Sequence, residues 1–136
     1  MPYAEVRGAK LYYEDLGEGE PVLLLPGALG TGQSDLGPQL EALPQRGLRV
    51  IAPDPCGYGK SRPPAREFPI DFYQQDADDF AALMESIGCK TYAVGGWSDG
   101  AITSMLLLGT RWRWPCARSH RAMDLGRSLG LGMLRL

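Results

Sequence analysis

The sequence predicts an α/β fold, a mostly parallel sheet with helices on both faces. Short apolar runs alternate with segments of helical period, and Gly 18 and Pro 11 in 136 residues call for many tight turns. Strands separated by helices imply parallel pairing through right-handed crossovers. Residues 3–7 and 10–15 read as two strands joined through Gly8, an antiparallel hairpin that ends in a turn at 17–19. Val22, Leu23, Leu24 and Leu25 lack alternation, as a strand buried on both faces does, and stop at Pro26-Gly27. Leu36, Leu40 and Leu43 recur at helical spacing, with Asp35 or Ser34 as the expected cap. A second buried strand spans 48–52 and leads to Asp54. Residues 71–87 carry the strongest helical pattern, with Phe72, Asp76, Phe80, Leu83, Met84 and Ile87 on its faces and Gly88 closing it. A strand at 91–94 and a helix from about Asp99 to Leu108 follow.

Composition narrows the function classes. The chain is 44% hydrophobic and 22% charged, which suits one globular domain rather than a disordered segment. Cys56, Cys89 and Cys116 form no CxxC pair, and with one histidine the ligands are too few for a protein zinc site, so no metal or other cofactor is expected. No apolar run approaches the roughly 20 residues that span a bilayer, and the N-terminus lacks the pattern of a secretory signal. The expectation is a soluble intracellular protein, cytoplasmic or mitochondrial.

Net charge is −2, but its distribution is uneven. Residues 1–110 hold 8 Lys and Arg against 15 Asp and Glu, whereas residues 111–136 hold 6 Arg, no Lys and one acid, Asp124. Two domains of unlike character follow: a partial α/β domain over 1–110 and an Arg-rich tail over 111–136. Interleaved Arg and Trp at 111–114 would suit nucleic acid or an anionic membrane. Gly126, Gly130 and Gly132 break any amphipathic pattern, so the tail reads instead as a disordered or out-of-frame segment, and no nucleic-acid partner is expected.

Gly96-Trp97-Ser98-Asp99-Gly100 matches G-x-S-x-G between a strand and a helix, the context in which that motif makes a serine nucleophile. The turn strains the serine backbone, and glycines at 96 and 100 let the helix approach the strand. The helix N-terminus offers free N–H groups to an oxyanion. The loop after the first buried strand should supply a second donor, and Ala28 N–H is the candidate to pair with Asp99 N–H. Two phosphate-binding readings fail on the same loops. Residues 27–32 space their glycines as G-x-x-G-x-G, the wrong order for a dinucleotide fingerprint. Gly57 to Ser61 ends like a Walker A loop, but Asp54 stands where its first glycine belongs, and Arg62-Pro63-Pro64 cannot open the helix.

These segments together, 23–30, 54–64, Asp71-Phe72 and 96–100, resemble the valacyclovir hydrolase (biphenyl hydrolase-like) family of the α/β-hydrolase superfamily. The likeness runs over about residues 3–107 and covers the N-terminal half of that fold. It implies a serine hydrolase acting on small-molecule esters of α-amino acids, with Ser98 as nucleophile and Asp99 as the group that receives the substrate's α-amino group. An acid at a helix start is also stabilised by the dipole alone, and the two roles coexist. Family members usually have Arg where this chain has Cys56, which predicts a missing loop anchor. The triad's acid and histidine should follow Ser98 on later strands. After it come Asp99, His120 and Asp124, the last two in reverse order in a tail without a strand, so the chain is expected to be catalytically weak or inactive. The competing expectation is a non-catalytic fragment or interaction partner. With later strands missing, the strand at 91–94 becomes a sheet edge open to self-association.

Overall fold

The computed structural model describes residues 2–111 and 133–135. Its elements are β1 (Tyr3–Val6), β2 (Ala9–Leu16), β3 (Glu20–Leu25), α1 (Gly32–Ala42), a 3₁₀ turn (Pro44–Arg46), β4 (Leu48–Pro53), α2 (Phe72–Ser86), β5 (Ala93–Gly96), α3 (Asp99–Arg111) and β6 (Met133–Arg135). The sheet order is β1-β2-β4-β3-β5-β6. β3 pairs in parallel with β4 on one side and with β5 on the other. The hairpin joins antiparallel through β2 and β4.

The unalternated apolar runs have the predicted meaning. In β3, Leu23 and Leu25 belong to the core under α2 and α3, while Val22 and Leu24 face a second core under α1. β4 divides in the same way, Ile51 to the first core and Val50 and Ala52 to the second. Side chains alternate across a strand, so a strand covered on both faces needs an apolar residue at every position. Helix α2 completes the first core with Ala77, Phe80, Ala81, Leu83 and Met84, a stripe with helical spacing.

Several boundaries differ from the sequence expectation. Helix α1 is capped by Thr31, whose side chain accepts from the Ser34 N–H at 3.1 Å while the Ser34 hydroxyl accepts from the Thr31 N–H at 2.8 Å. Ser34 is therefore the third helical residue of a reciprocal cap, and Asp35 is no cap at all. Pro38 sits inside α1, and Leu36 before it departs from helical angles, in keeping with the clash between a proline ring and the preceding turn. Strand β5 lies two residues later than 91–94, running through Gly96 into the turn that follows. The β5 edge is also not open: β6 pairs with it antiparallel, Ala93 opposite Arg135 and Gly95 opposite Met133. Of the Arg-rich tail, Arg111 ends α3 and residues 133–135 form β6; the rest, including His120 and Asp124, lies outside the described residues.

The anchor expected to be missing at Cys56 comes from elsewhere in the chain. Arg66 donates to the Cys56 carbonyl at 3.1 Å and to both oxygens of Asp76 at 2.7 and 2.8 Å, and its guanidinium lies 4.7 Å from the Tyr58 ring centre. The pair is about nine-tenths buried on both sides, 10% and 11% exposed, and it ties the loop after β4 to α2. Removing one partner of a buried pair leaves the other charge without compensation, so Asp76→Ala should lower the unfolding free energy by about 3–5 kcal/mol in urea titration.

A second ion pair fastens the hairpin to α2: Arg7, in the β1–β2 turn, contacts Asp79 at 3.1 Å. Burial pushes the Asp79 carboxyl up to about 6, against the opposing pull of Arg7 and with added repulsion from Asp76 and Asp78. Between the ordinary carboxyl pKa and about 6 the folded chain holds the proton more tightly than the unfolded chain, so stability falls as pH rises through that window. Asp79→Asn should therefore raise the urea midpoint at pH 7 to 8, and the gain should fade below about pH 4.

Candidate active site

The chain reverses between β5 and α3 within two residues, and the geometry there follows from what the glycines lack. Ser98 has φ 53, a left-handed backbone that a side-chain-bearing residue adopts only where its surroundings impose it. A Cβ at Gly96 would strike the backbone of Gly100, and one at Gly100 would strike the carbonyl of Leu25. Helix α3 thus starts in direct backbone contact with the ends of β5 and β3. Three hydrogen bonds hold the turn: Trp97 N–H to the Leu25 carbonyl at 3.0 Å, Gly100 N–H to the Trp97 carbonyl at 2.9 Å, and Ala101 N–H to the Ser98 carbonyl at 2.9 Å. Ser98 is exposed at the C-terminal end of the parallel strands.

The loop after β3 meets this turn. A Cβ at Gly27 would lie 3.3 Å from the Ser98 Cβ and 3.0 Å from Trp97 Cδ1, which places the 27–28 peptide alongside Ser98. Gly27 to Gly30 form a turn closed by the Gly30 N–H and the Gly27 carbonyl at 3.1 Å, with Leu29 at φ 60. Asp35 holds this turn from behind, its Oδ2 accepting the Gly27 N–H at 2.8 Å. Among the described residues the N–H groups of Ala28 and Asp99 have no hydrogen-bond partner, and both residues line one narrow cleft. Ala28, Ser98 and Asp99, the three candidates read from sequence, are therefore neighbours in space.

Supporting groups were less visible in the sequence. Asp54 is buried and its carboxylate accepts from Lys60 N–H at 2.9 Å and Gly32 N–H at 3.3 Å, joining the loop after β4 to the start of α1. Burial raises its pKa, and these N–H donors oppose the shift. Its signal was its place at the head of the Asp54–Gly59 segment. Asp35 gave the opposite signal, looking like a cap from its position. Tyr73 on α2 lies beside Asp99; its phenol pKa is raised by desolvation and then by the Asp99 carboxylate. A tyrosine in a helical stripe reads as packing, so nothing in its spacing marked it. Among the described residues no group of three or more His, Cys, Asp or Glu is arranged to hold a metal ion. No helix among them is long and apolar enough to cross a membrane.

Comparison with known proteins agrees with this architecture. Residues 20–115 match a family model described as the alpha/beta hydrolase fold. The chain is 50% identical over 102 residues to serine hydrolase BPHL of Homo sapiens, an overlap of 74% of this chain and 35% of that protein. It is 37% identical over 107 residues to the putative carbamate hydrolase RutD of Azorhizobium caulinodans, an overlap of 79% and 38%. It thus spans 35% and 38% of the length of these two relatives. Among solved structures, epoxide hydrolase VrEH1 from Vigna radiata superposes with a TM-score of 0.72 at 33% identity, over 80% of this chain and 33% of that one. The esterase EaEST from Exiguobacterium antarcticum gives 0.72 at 28% identity, over 82% and 40%. From the mixed sheet with a parallel centre covered on both faces, the strained serine turn and the family match over most of its length, the chain belongs to the α/β-hydrolase fold family.

Proposed function

We propose that Ser98 is the nucleophile of a serine hydrolase site for esters of α-amino acids. The observation that carries this reading is the left-handed Ser98, exposed at a strand-to-helix turn that only glycines at 96 and 100 allow. In the proposed reaction the Ser98 hydroxyl oxygen bonds to the ester carbonyl carbon as its proton passes to a base. The carbonyl oxygen becomes an oxyanion facing the N–H groups of Ala28 and Asp99. Collapse of that intermediate breaks the ester bond, releases the alcohol with a proton and leaves an acyl-serine, which water then hydrolyses. The Asp99 carboxylate pairs with the substrate's α-ammonium group by a charge-assisted hydrogen bond.

Among the described residues the scheme has no histidine to serve as base. The chain's one histidine, His120, lies outside the described residues, and among them none stands beside Ser98. Without a base and an acid to orient it, what is left is the smaller rate supplied by oxyanion stabilisation and binding. The proposal is that these 136 residues alone turn over esters weakly or not at all.

Two measurements test the scheme. In an assay of the purified 136-residue protein with an activated amino-acid ester, wild type and Ser98→Ala should agree within about twofold. Turnover lost in Ser98→Ala would overturn the proposed lack of a base. In a form extended by the downstream strands of the family, Asp99→Ala should cut kcat/KM for the α-amino ester by about 30-fold or more and change its N-acetylated analogue by less than about threefold. Equal losses on both esters would leave Asp99 as a helix-start residue.

A further inference from the structure

A second cavity, of about 260 Å³, lies between the loop after β4 and α2, and none of residues 96–100 lines it. Small-molecule sites run from roughly 300 Å³ upwards, so its occupant is small. One face of α2 forms a wall. Phe72, Gln75, Asp76 and Asp79 recur there at the spacing that brings helical residues onto one side. Phe72 adds apolar surface to that of Pro64 and Pro69 across the loop, and its ring lies 5.3 Å from Phe68 and 4.0 Å from Tyr73.

The charged lining does not balance. Arg66 and Asp76 match each other through two bonds of 2.7 and 2.8 Å, which leaves the carboxylates of Glu67 and Asp79. Glu67 is exposed, whereas the Asp79 side chain is only 14% exposed. Arg7 does not line the cavity, and it donates to Asp79 through Oδ1 alone at 3.1 Å. Asp79 Oδ2 has no donor among the described residues. Burial outweighs Arg7 and holds this carboxyl at about 6, so at neutral pH it is ionised and incompletely compensated. A metal ion needs several oxygen ligands, and among the described residues no three such side chains are arranged for one.

From one open carboxylate oxygen beside an apolar wall we infer that this cavity binds a small arylalkylammonium, its ammonium on Asp79 and its ring against Pro64, Pro69 and Phe72. The inference is independent of the reading of Ser98. A single oxygen suits the point charge of an ammonium, whereas a planar guanidinium pairs best with two. Phe72 and Asp79 stand seven residues apart, about 10 Å along the helix. A ring and an ammonium joined by a two-carbon chain bridge that span once the reach of both side chains is allowed for.

Binding can be measured without turnover. The ¹⁵N-labelled 136-residue protein is titrated by NMR at about pH 7.5 with 2-phenylethylammonium, with 2-phenylethanol as its uncharged match and with ethylammonium as the charge without the ring. The arylalkylammonium should shift the Cys56, Phe72 and Asp79 amides saturably. The alcohol, ethylammonium and the arylalkylammonium on Asp79→Asn should each need at least about tenfold more ligand for the same shift. Asp79→Asn is expected to be the more stable protein at this pH, so a lost response reads the missing charge and not unfolding. An alcohol as effective as the amine, or full binding by Asp79→Asn, would overturn the role of Asp79. Ethylammonium binding equally well would overturn the ring site. No saturable shift, or one confined to the Ala28, Asp99 and Gly100 amides, would overturn the cavity as the place of binding.

Discussion

The structure depends on one close approach of backbone to backbone, where the start of α3 rests on the ends of β3 and β5. Gly96 and Gly100 have no room for a Cβ, and the turn between them drives Ser98 to φ 53. The strain at one non-glycine residue in the left-handed region is of order 1–2 kcal/mol. It persists because Leu23, Leu25, Phe80, Leu83 and Met84 are buried under the same helices. Fully burying one such side chain is worth about 1.5–3 kcal/mol, so two or three contacts offset the strain. The cost falls on Ser98, a residue exposed at the C-terminal end of the parallel strands.

Carboxylates do much of the work of holding the loops around that turn. Asp35 accepts from Gly27, and Asp54 accepts from Gly32 and Lys60. An N–H to carboxylate bond is stronger than one between neutral groups, and the Gly32 bond joins the start of α1 to the loop after β4 while the Lys60 bond closes that loop on itself. Asp76 does the same on the far side through Arg66, so four acids, with Asp99, surround the start of α3 and the loops beside it. Asp35, Asp54 and Asp76 are held by bonds to N–H groups or to Arg66, and Asp99 lies beside the phenol of Tyr73.

The order of strands and helices and the turn at Ser98 could be read from the sequence because their causes are local. A strand covered on both faces must be apolar at every position, as at 22–25, and a helix facing one core must repeat at 3.6 residues, as in α2. The glycines at 96 and 100 announce the serine turn within five residues. Tertiary structure decided what depends on partners far apart in the chain. Thr31 rather than Asp35 caps α1, which frees Asp35 to reach back eight residues to Gly27. Arg66 takes up the anchoring that Cys56 cannot provide, because the path of the loop brings position 66, ten residues on, under the Cys56 carbonyl and against Asp76. β6 pairs with β5 across some forty residues, a match of backbone N–H and C=O groups that no side-chain pattern encodes. Contiguous residues carry the periods and turns; hydrogen bonds and ion pairs between distant segments exist only after the sheet has set their spacing.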